Sequence, residues 1–250
     1  MSLSRRDFLK STTLNAAALA AIPAIASACT RSGSKMAGSL ETDHVLLFQG
    51  DSITDAGREK QRENPNNGRS FGTGYAFLAA CELLKSHAGK NLTIYNRGIS
   101  GNKVYQLAER WEKDCLELKP NLVSILIGVN DYWHMRNGQY DGNAEIYEND
   151  YRALLERTTN ALPGITLVIC QPFILTSTSA VDESWVRPFK VYQEAARRVA
   201  DEFQAIWVPF QEVFDEAIEY APEIYWAADG VHPTMAGAYL MAEAWLRSIP

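Results

Sequence analysis

The sequence has little positive charge, no internal repeat and no long hydrophobic run, and these shortages exclude several classes of protein. Its 24 lysines and arginines are outnumbered by 30 acidic residues, which gives a net charge of −6. Nucleic-acid-binding proteins carry basic stripes, so this balance argues against a nucleic acid as partner. It also argues against attraction to anionic membranes or polyanionic substrates. The 46% of hydrophobic residues suffice for the core of one α/β domain.

Cysteine is also scarce, with four residues in 250. One of them, Cys29, lies in the N-terminal segment, and the other three lie within or beside apolar segments: Cys81, Cys115 and Cys170. An odd number cannot pair completely, so we expect these three to be buried free thiols. Three histidines are scattered without metal-ligand spacing: His44, His87 and His134. We therefore expect neither a metal nor a cofactor.

The first 42 residues are predicted to lie outside the folded domain. Residues 4–10, Ser-Arg-Arg-Asp-Phe-Leu-Lys, are typical of a twin-arginine export signal. The alanine-rich apolar stretch from Ala16 to Ala28 is too short to span a bilayer, so it indicates a signal segment rather than a membrane helix. We expect an exported protein of the periplasm or cell surface, with a signal at 1–28, a polar tether at 29–42 and the folded domain at 43–250.

Two interpretations remain open for the end of this signal. Ala26-Ser27-Ala28 before Cys29 resembles a lipobox, in which Cys29 is acylated and becomes the mature N-terminus. The same small residues also fit ordinary cleavage after Ala28. We favour lipidation, in which case Cys29 is the only expected attachment to a membrane.

Beyond residue 42, short apolar runs alternate with amphipathic stretches. Five runs predict strands: His44–Gln49, Leu92–Asn96, Leu122–Ile127, Ile165–Gln171 and Ala205–Pro209. Five stretches predict helices: Gly74–His87, Lys103–Leu118, Ala144–Leu162, Pro188–Phe203 and Thr234–Ile249. Such alternation builds βαβ units around a buried parallel sheet. The predicted fold class is therefore α/β, and functional residues are expected just beyond the carboxyl ends of the strands.

A candidate nucleophile follows the first predicted strand, in Gly50-Asp51-Ser52. A serine at a strand-to-helix turn exposes its hydroxyl and turns its own backbone N–H towards a substrate. The helix N-terminus adds positive potential where an oxyanion would form. The same three residues also occur as an ordinary turn or helix cap.

Candidate oxyanion-binding groups follow the second and third strands. Gly98 can bring its backbone N–H close to a reacting carbonyl because it has no side chain, or it can serve a tight turn. Asn130, in Gly128-Val129-Asn130-Asp131, can donate its side-chain amide to an oxyanion, or cap a helix. For Gly98 in isolation, the two alternatives are about equally good.

The strongest local signal is Asp229-Gly230-Val231-His232-Pro233, near the C-terminus. An acid three residues before a histidine, in a loop that leads into a helix, can place its carboxylate on the imidazole. That contact holds the ring in the tautomer that accepts a proton from serine. Imidazole also titrates near neutral pH, as a general base requires.

Together these segments are similar to the four ordered blocks of the SGNH (GDSL) hydrolase family: Gly50-Asp51-Ser52, Gly98, Gly128-x-Asn130-Asp131 and Asp229-x-x-His232. The resemblance spans essentially the whole chain after the signal. It implies a single flavodoxin-like three-layer α/β/α sandwich with a five-stranded parallel sheet.

The resemblance also implies a role for each matched residue. Ser52 would be the nucleophile, His232 the base and Asp229 the acid that orients the base. The oxyanion hole would consist of the N–H groups of Ser52 and Gly98 and the side-chain amide of Asn130. The chain would then be a serine ester hydrolase that works by two-step acyl transfer.

Residues around the blocks are similar to the acetylxylan esterase branch of these hydrolases: 50–58, 96–102, 111–120, 127–133 and 226–234. This similarity implies removal of acetyl groups from xylan or xylo-oligosaccharides. Trp133 and Trp226 would then contact substrate, one as a wall of an acyl pocket and one as a platform for a sugar ring, unless both are core aromatics. Asp51 is a third candidate for substrate contact.

Other functions fit the same motifs, since one fold hosts many ester substrates. They include a deacetylase for a different glycan, and a lysophospholipase or thioesterase, for which a long acyl chain requires an extended apolar groove. A surface glycan-binding module that has lost catalysis is a further alternative. The intact Ser52, Asp229 and His232 argue against it.

Overall fold

The computed structural model describes residues 40–250. The export signal, Cys29 and most of the predicted tether lie outside the described residues, so their roles stay predictions. The strands are β1 Val45–Gly50, β2 Thr93–Asn96, β3 Leu122–Leu126, β4 Thr166–Cys170 and β5 Ile206–Val208. The helices are α1 Ser52–Asp55, α2 Gly68–Phe71, α3 Tyr75–Ser86, α4 Val104–Asp114, α5 Val129–Arg136, α6 Ala144–Ala161, α7 Val186–Glu202, α8 Phe210–Ala217, α9 Glu223–Trp226 and α10 Met235–Ser248.

The five strands form one sheet in the order β2-β1-β3-β4-β5, and every neighbouring pair is parallel. The chain runs from β1 outwards to β2 and then returns to build the other side from β3. In this topology, ligands bind beyond the carboxyl ends of β1 and β3, where the winding direction reverses. The predicted α/β class with a five-stranded parallel sheet is confirmed.

Helices cover both faces of the sheet. Successive strand residues point to opposite faces, so neighbouring residues of one strand contact different helices. On one face, the Phe48 ring packs against Tyr75 of α3 at 5.9 Å and Trp245 of α10 at 4.8 Å between centroids. On the other face, the next residue, Gln49, donates through Nε2 to the carbonyl of Asp114 in α4 at 2.8 Å. The three layers expected for the fold are therefore present. No helix between residues 40 and 250 is long and apolar enough to cross a membrane.

The predicted strands and long helices are all found, with ends that agree within two residues except at the end of α4. That helix stops at Asp114, and a separate 3₁₀ turn, Leu116–Leu118, follows it. Between residues 40 and 250, five further helices lie outside the five stretches predicted as helices, and each has at most eight residues: α1, α2, α5, α8 and α9. One or two turns offer too few residues for an apolar period to stand out.

The expectation of three buried thiols is right for Cys115 and Cys170 and wrong for Cys81. Cys81 lies on α3, which buries Ala79, Ala80 and Leu83 against the core. These neighbours fill the inward side of the helix, so the side chain of Cys81 is left exposed.

Candidate active site

The turn between β1 and α1 presents Ser52 at the carboxyl edge of the sheet. Gly50 has φ of 154°, and a Cβ on it would lie 2.3 Å from the carbonyl oxygen of Leu126 in β3. Only glycine permits this approach. The carboxylate of Asp51 then accepts the Ile53 N–H at 3.0 Å and caps α1. Ser52 is therefore the first residue of the helix, and it is partly exposed.

A chain of hydrogen bonds joins the three residues expected to form a triad. The hydroxyl of Ser52 lies 2.8 Å from Nε2 of His232, and Nδ1 of His232 lies 2.6 Å from Oδ2 of Asp229. A carboxylate can only accept, so Nδ1 carries the proton and Nε2 accepts from the Ser52 hydroxyl. The imidazole is 45% exposed, which leaves it accessible from solvent.

The loop that carries Asp229 holds its carboxylate ionised. Oδ1 accepts the backbone N–H groups of Val231 at 2.9 Å and His232 at 2.7 Å. Partial burial disfavours the charge, but the hydrogen bonds from His232 and Val231 outweigh it, so the pKa of Asp229 is lowered. Gly230 adopts φ of 87° and packs against Leu175, whose N–H donates to the Gly230 carbonyl at 2.8 Å. These contacts fix the acid in front of the imidazole.

Two of the expected oxyanion donors are available for a substrate. The N–H of Ser52 begins α1, where no preceding turn of helix offers it a carbonyl. Asn130 is buried near the start of α5, and its Nδ2 donates to the carbonyl of Asn102 at 3.3 Å. An amide nitrogen carries two hydrogens, so the second one remains for an oxyanion. The helix cap is Gly128, so Asn130 is not the cap residue.

The third expected donor, Gly98, already has an acceptor. Its N–H donates to Oδ1 of Asn96 at 2.9 Å, and a substrate oxyanion would share this hydrogen. A Cβ on Gly98 would lie 2.5 Å from the backbone nitrogen of Asp55 in α1. Glycine is thus required here for packing against α1 as well as for any oxyanion contact.

The expectation that Asp51 contacts substrate is wrong, because its side chain is fully buried. Burial raises the pKa of Asp51 to about 7. Asp131 is buried as well. Its Oδ1 accepts the Val104 N–H at 3.1 Å, and burial raises the pKa of Asp131 to about 7. In both residues Oδ2 has no hydrogen-bond partner among residues 40–250. Two poorly solvated acids therefore flank the reactive residues from inside the fold.

Replacing Asp51 with asparagine is expected to stabilise the fold at pH 8. Because burial raises the pKa of Asp51 to about 7, the native state keeps this proton up to about pH 7, whereas an aspartate in an unfolded chain loses its proton near pH 4. The stability contributed by this retained proton is complete below about pH 4 and is lost as the pH rises through 7. Asparagine can still accept the Ile53 N–H, so Asp51→Asn removes the buried charge alone. The free energy of unfolding at pH 8 should rise by an amount on the order of 1–3 kcal/mol.

Denaturant unfolding at pH 8 and pH 4 measures this effect. The gain should be present at pH 8 and absent at pH 4. Asp141→Asn, on an exposed aspartate, is the matched control and should change stability at neither pH. A gain of equal size at both pH values would contradict the assignment of a raised pKa.

Both candidate tryptophans pack against the core and remain partly exposed. Trp133 lies in α5 and meets buried Trp185 edge to face, with 5.4 Å between ring centroids. Trp226 ends α9, and its indole N–H donates to the carbonyl of Ala221 at 3.1 Å. Each ring is thus anchored in the core near a triad or oxyanion residue. Only the exposed part of each is left for a substrate.

Sequence reasoning missed a buried lysine beside Asn130. Lys103 is 6% exposed, and its ammonium lies 3.1 Å from Nδ1 of His134. It also lies 5.5 Å and 5.4 Å from the ring centroids of Tyr105 and Tyr140. Desolvation lowers the pKa of Lys103. The sequence did mark Lys103 as unusual. It stands at the start of a predicted helix, where a positive charge opposes the helix dipole.

The fold and the site together define a carboxylic ester hydrolase built on a parallel α/β sheet. A serine hydroxyl, an imidazole and a carboxylate are linked at the edge where such folds bind ligands, with amide donors beside them. The GDSL-like lipase/acylhydrolase family model matches residues 48–240, and the chain belongs to this family. The SGNH (GDSL) resemblance of the four sequence blocks is thereby confirmed.

The proteins that this chain resembles belong to the same class. An acetylxylan esterase of Geobacillus stearothermophilus is 33% identical over 210 residues, which cover 82% of this chain and 93% of the relative. The crystal structure of a Parabacteroides merdae protein described as a GDSL-like lipase matches with a TM-score of 0.83 and 48% identity, over 86% of this chain and 98% of that one. A structure of an acetyl-xylooligosaccharide esterase of Geobacillus matches with a TM-score of 0.76 and 30% identity, over 84% and 96%.

Proposed function

We propose that this protein removes O-acetyl groups from acetylated xylan or xylo-oligosaccharides by acyl transfer through Ser52. The observation that carries the reaction type is the hydrogen-bonded series Ser52, His232 and Asp229. The choice of substrate is supported by the acetylxylan and acetyl-xylooligosaccharide esterases that the chain resembles over most of its length.

The first half-reaction transfers the acetyl group to the enzyme. Nε2 of His232 takes the proton of the Ser52 hydroxyl as its oxygen attacks the acetyl carbonyl carbon. The tetrahedral oxyanion is held by the N–H of Ser52 and the amide of Asn130, with Gly98 as a shared donor. The intermediate collapses as His232 returns the proton to the sugar oxygen, which leaves as a free hydroxyl.

The second half-reaction restores the enzyme. His232 takes a proton from water, the resulting hydroxide attacks the acetyl-Ser52 carbonyl, and a second oxyanion occupies the same donors. The Ser52 oxygen leaves with the proton from His232, and acetate is released. Throughout, ionised Asp229 stabilises the imidazolium that forms in each step and keeps the ring oriented.

The decisive experiment measures acetate released from acetylated xylo-oligosaccharides by the purified protein. Release is expected, together with hydrolysis of para-nitrophenyl acetate and a steep decline with para-nitrophenyl esters of longer acyl chains. Hydrolysis of the aryl acetate without release from the oligosaccharides would refute the xylan assignment and direct the search to other acetylated glycans. A preference for long acyl chains would favour a lysophospholipase or thioesterase instead.

Asn130→Ala is expected to lower kcat by a factor on the order of 10²–10³ while KM changes little. The amide donates to an oxyanion that exists only after attack, so its loss raises the barrier more than it weakens substrate binding. Initial rates on para-nitrophenyl acetate measure the effect. Asn137→Ala, at the exposed end of the same helix, should retain full activity. A change in KM alone would show that Asn130 binds the ground state rather than the oxyanion.

A further inference from the structure

A separate cavity opens at the carboxyl edge of the sheet, beyond β4 and β5. It encloses about 400 Å³, within the range of small-molecule sites. Its walls come from the loop after β4, from α7, from α8 and Ile218 directly after it, and from the first residue of α9. We refer to it below as the β4–β5 cavity. Nothing in the proposed mechanism uses it.

The β4–β5 cavity shares a wall with the loop that carries the catalytic acid and base. Leu175 lines it, and the N–H of Leu175 donates to the carbonyl of Gly230, between Asp229 and His232. Neighbouring strands lie about 4.8 Å apart, so the ends of β4 and β5 are roughly 10 and 14 Å from the end of β1, where Ser52 lies. A short oligosaccharide held at Ser52 could extend over this distance along the same edge.

The polar groups of the β4–β5 cavity are held by a network of glutamines. Gln211 donates through its side chain to the carbonyl of Ile174 at 3.0 Å and to Asp215 at 2.9 Å. Its side-chain oxygen accepts the Gln193 amide at 2.9 Å, and its backbone N–H donates to Gln171 at 2.9 Å. These bonds tie the loop after β4 to α8. The cavity is therefore shaped before any ligand arrives, which limits the entropy lost on binding.

The rim of the cavity combines acceptors with apolar surface. Three carboxylates line it against a single ammonium: Glu212, Asp215, Glu223 and Lys190. Val186 and Ile218 line it as well, and they are 41% and 37% exposed. Carboxylates accept hydrogen bonds from hydroxyl groups, and apolar side chains cover the C–H faces of a sugar ring. The negative excess disfavours phosphate, sulfate or another anion.

We infer that the β4–β5 cavity binds neutral saccharide units of the substrate that continue beyond the acetylated unit at Ser52. This inference rests on the proposed function, because it requires an acetylated oligosaccharide in the active site. It predicts that the enzyme gains affinity from longer oligosaccharides. An acetyl ester with no sugar chain gains nothing from the cavity.

Two substitutions in the cavity test the inference. Ile218→Trp fills it from an exposed position, and Glu223→Ala removes one rim carboxylate. In both variants, KM for acetylated xylohexaose is expected to rise about tenfold, because the distal sugar units lose contacts with the cavity. The kcat and KM for para-nitrophenyl acetate and for acetylated xylobiose are expected to stay at the wild-type values. Glu219→Ala, at an exposed site that does not line the cavity, is the matched control.

The outcomes separate this inference from the proposed function. If the wild type deacetylates acetylated xylohexaose and both variants have the wild-type KM for it, the subsite is refuted while the proposed function stands. If the wild type hydrolyses only the aryl acetate, the proposed substrate fails and the subsite fails with it. Sedimentation of the wild type and Ile218→Trp tests one further alternative. If the tryptophan dissociates an oligomer, this face binds a second copy of the chain and the subsite is refuted.

Discussion

Ser52→Ala is expected to lower kcat for ester hydrolysis by a factor on the order of 10⁵–10⁶. The hydroxyl 2.8 Å from His232 is the only atom of residue 52 able to form the acyl-enzyme, and alanine lacks it. The residual rate would come from the oxyanion donors and from substrate binding, which the substitution leaves in place. Rates on para-nitrophenyl acetate, measured with enough protein to detect slow turnover, give the size of the loss.

A matched serine shows whether this loss is specific. Ser86 is exposed at the end of α3, and Ser86→Ala should keep wild-type activity. Ser52→Ala should also unfold at the same temperature as the wild type, because a partly exposed hydroxyl adds little to stability. If Ser52→Ala retained more than a tenth of the activity, the nucleophile would have to be another group.

Asp229→Asn is expected to lower kcat by a factor on the order of 10⁴. The amide oxygen can still accept the N–H groups of Val231 and His232, so the loop keeps its shape. The amide nitrogen, however, is a donor and faces Nδ1 of the imidazole. The ring then adopts the tautomer with the proton on Nε2, which cannot take a proton from Ser52.

The lowered pKa of Asp229 extends this prediction across pH. Hydrogen bonds keep the carboxylate ionised in spite of partial burial, so the wild type retains its orienting charge between pH 5 and 8. The activity ratio of wild type to Asp229→Asn should therefore stay large over that whole range on para-nitrophenyl acetate. Asp141→Asn serves as the control for loss of one negative charge. A loss of less than tenfold would contradict an orienting role for Asp229.

Much of the candidate site could be predicted because its parts are local in the sequence. Asp229 and His232 are three residues apart, and the loop between them brings carboxylate and imidazole together within a few bonds. Ser52 and Asn130 each follow directly after a predicted strand, and the ends of parallel strands lie at one edge. The motif spacing thus carried both the residue types and their approximate positions.

Other features of the site could not be predicted, since they depend on how side chains are covered. Asp51 stands next to Ser52, yet its carboxylate turns inwards to cap α1. The hydrogen bond from Gly98 to Asn96 depends on the path of the loop after β2. Lys103 is buried because Tyr105 and Tyr140 lie beside its ammonium. Each of these outcomes is set by neighbours that a linear motif does not contain.

The sequence by itself determined the class of fold and the chemistry of the site. Apolar runs and amphipathic stretches repeat with the periods of strands and helices, and the serine, asparagine and aspartate–histidine motifs follow in order. Only the tertiary structure decided that Ser52 meets His232 across 180 residues, that Asp51 is buried and that the β4–β5 cavity exists. The physical reason is separation along the sequence. Periodicity and motif spacing reflect interactions between residues that are close in sequence, whereas these contacts arise from the packing of distant helices and loops on one sheet.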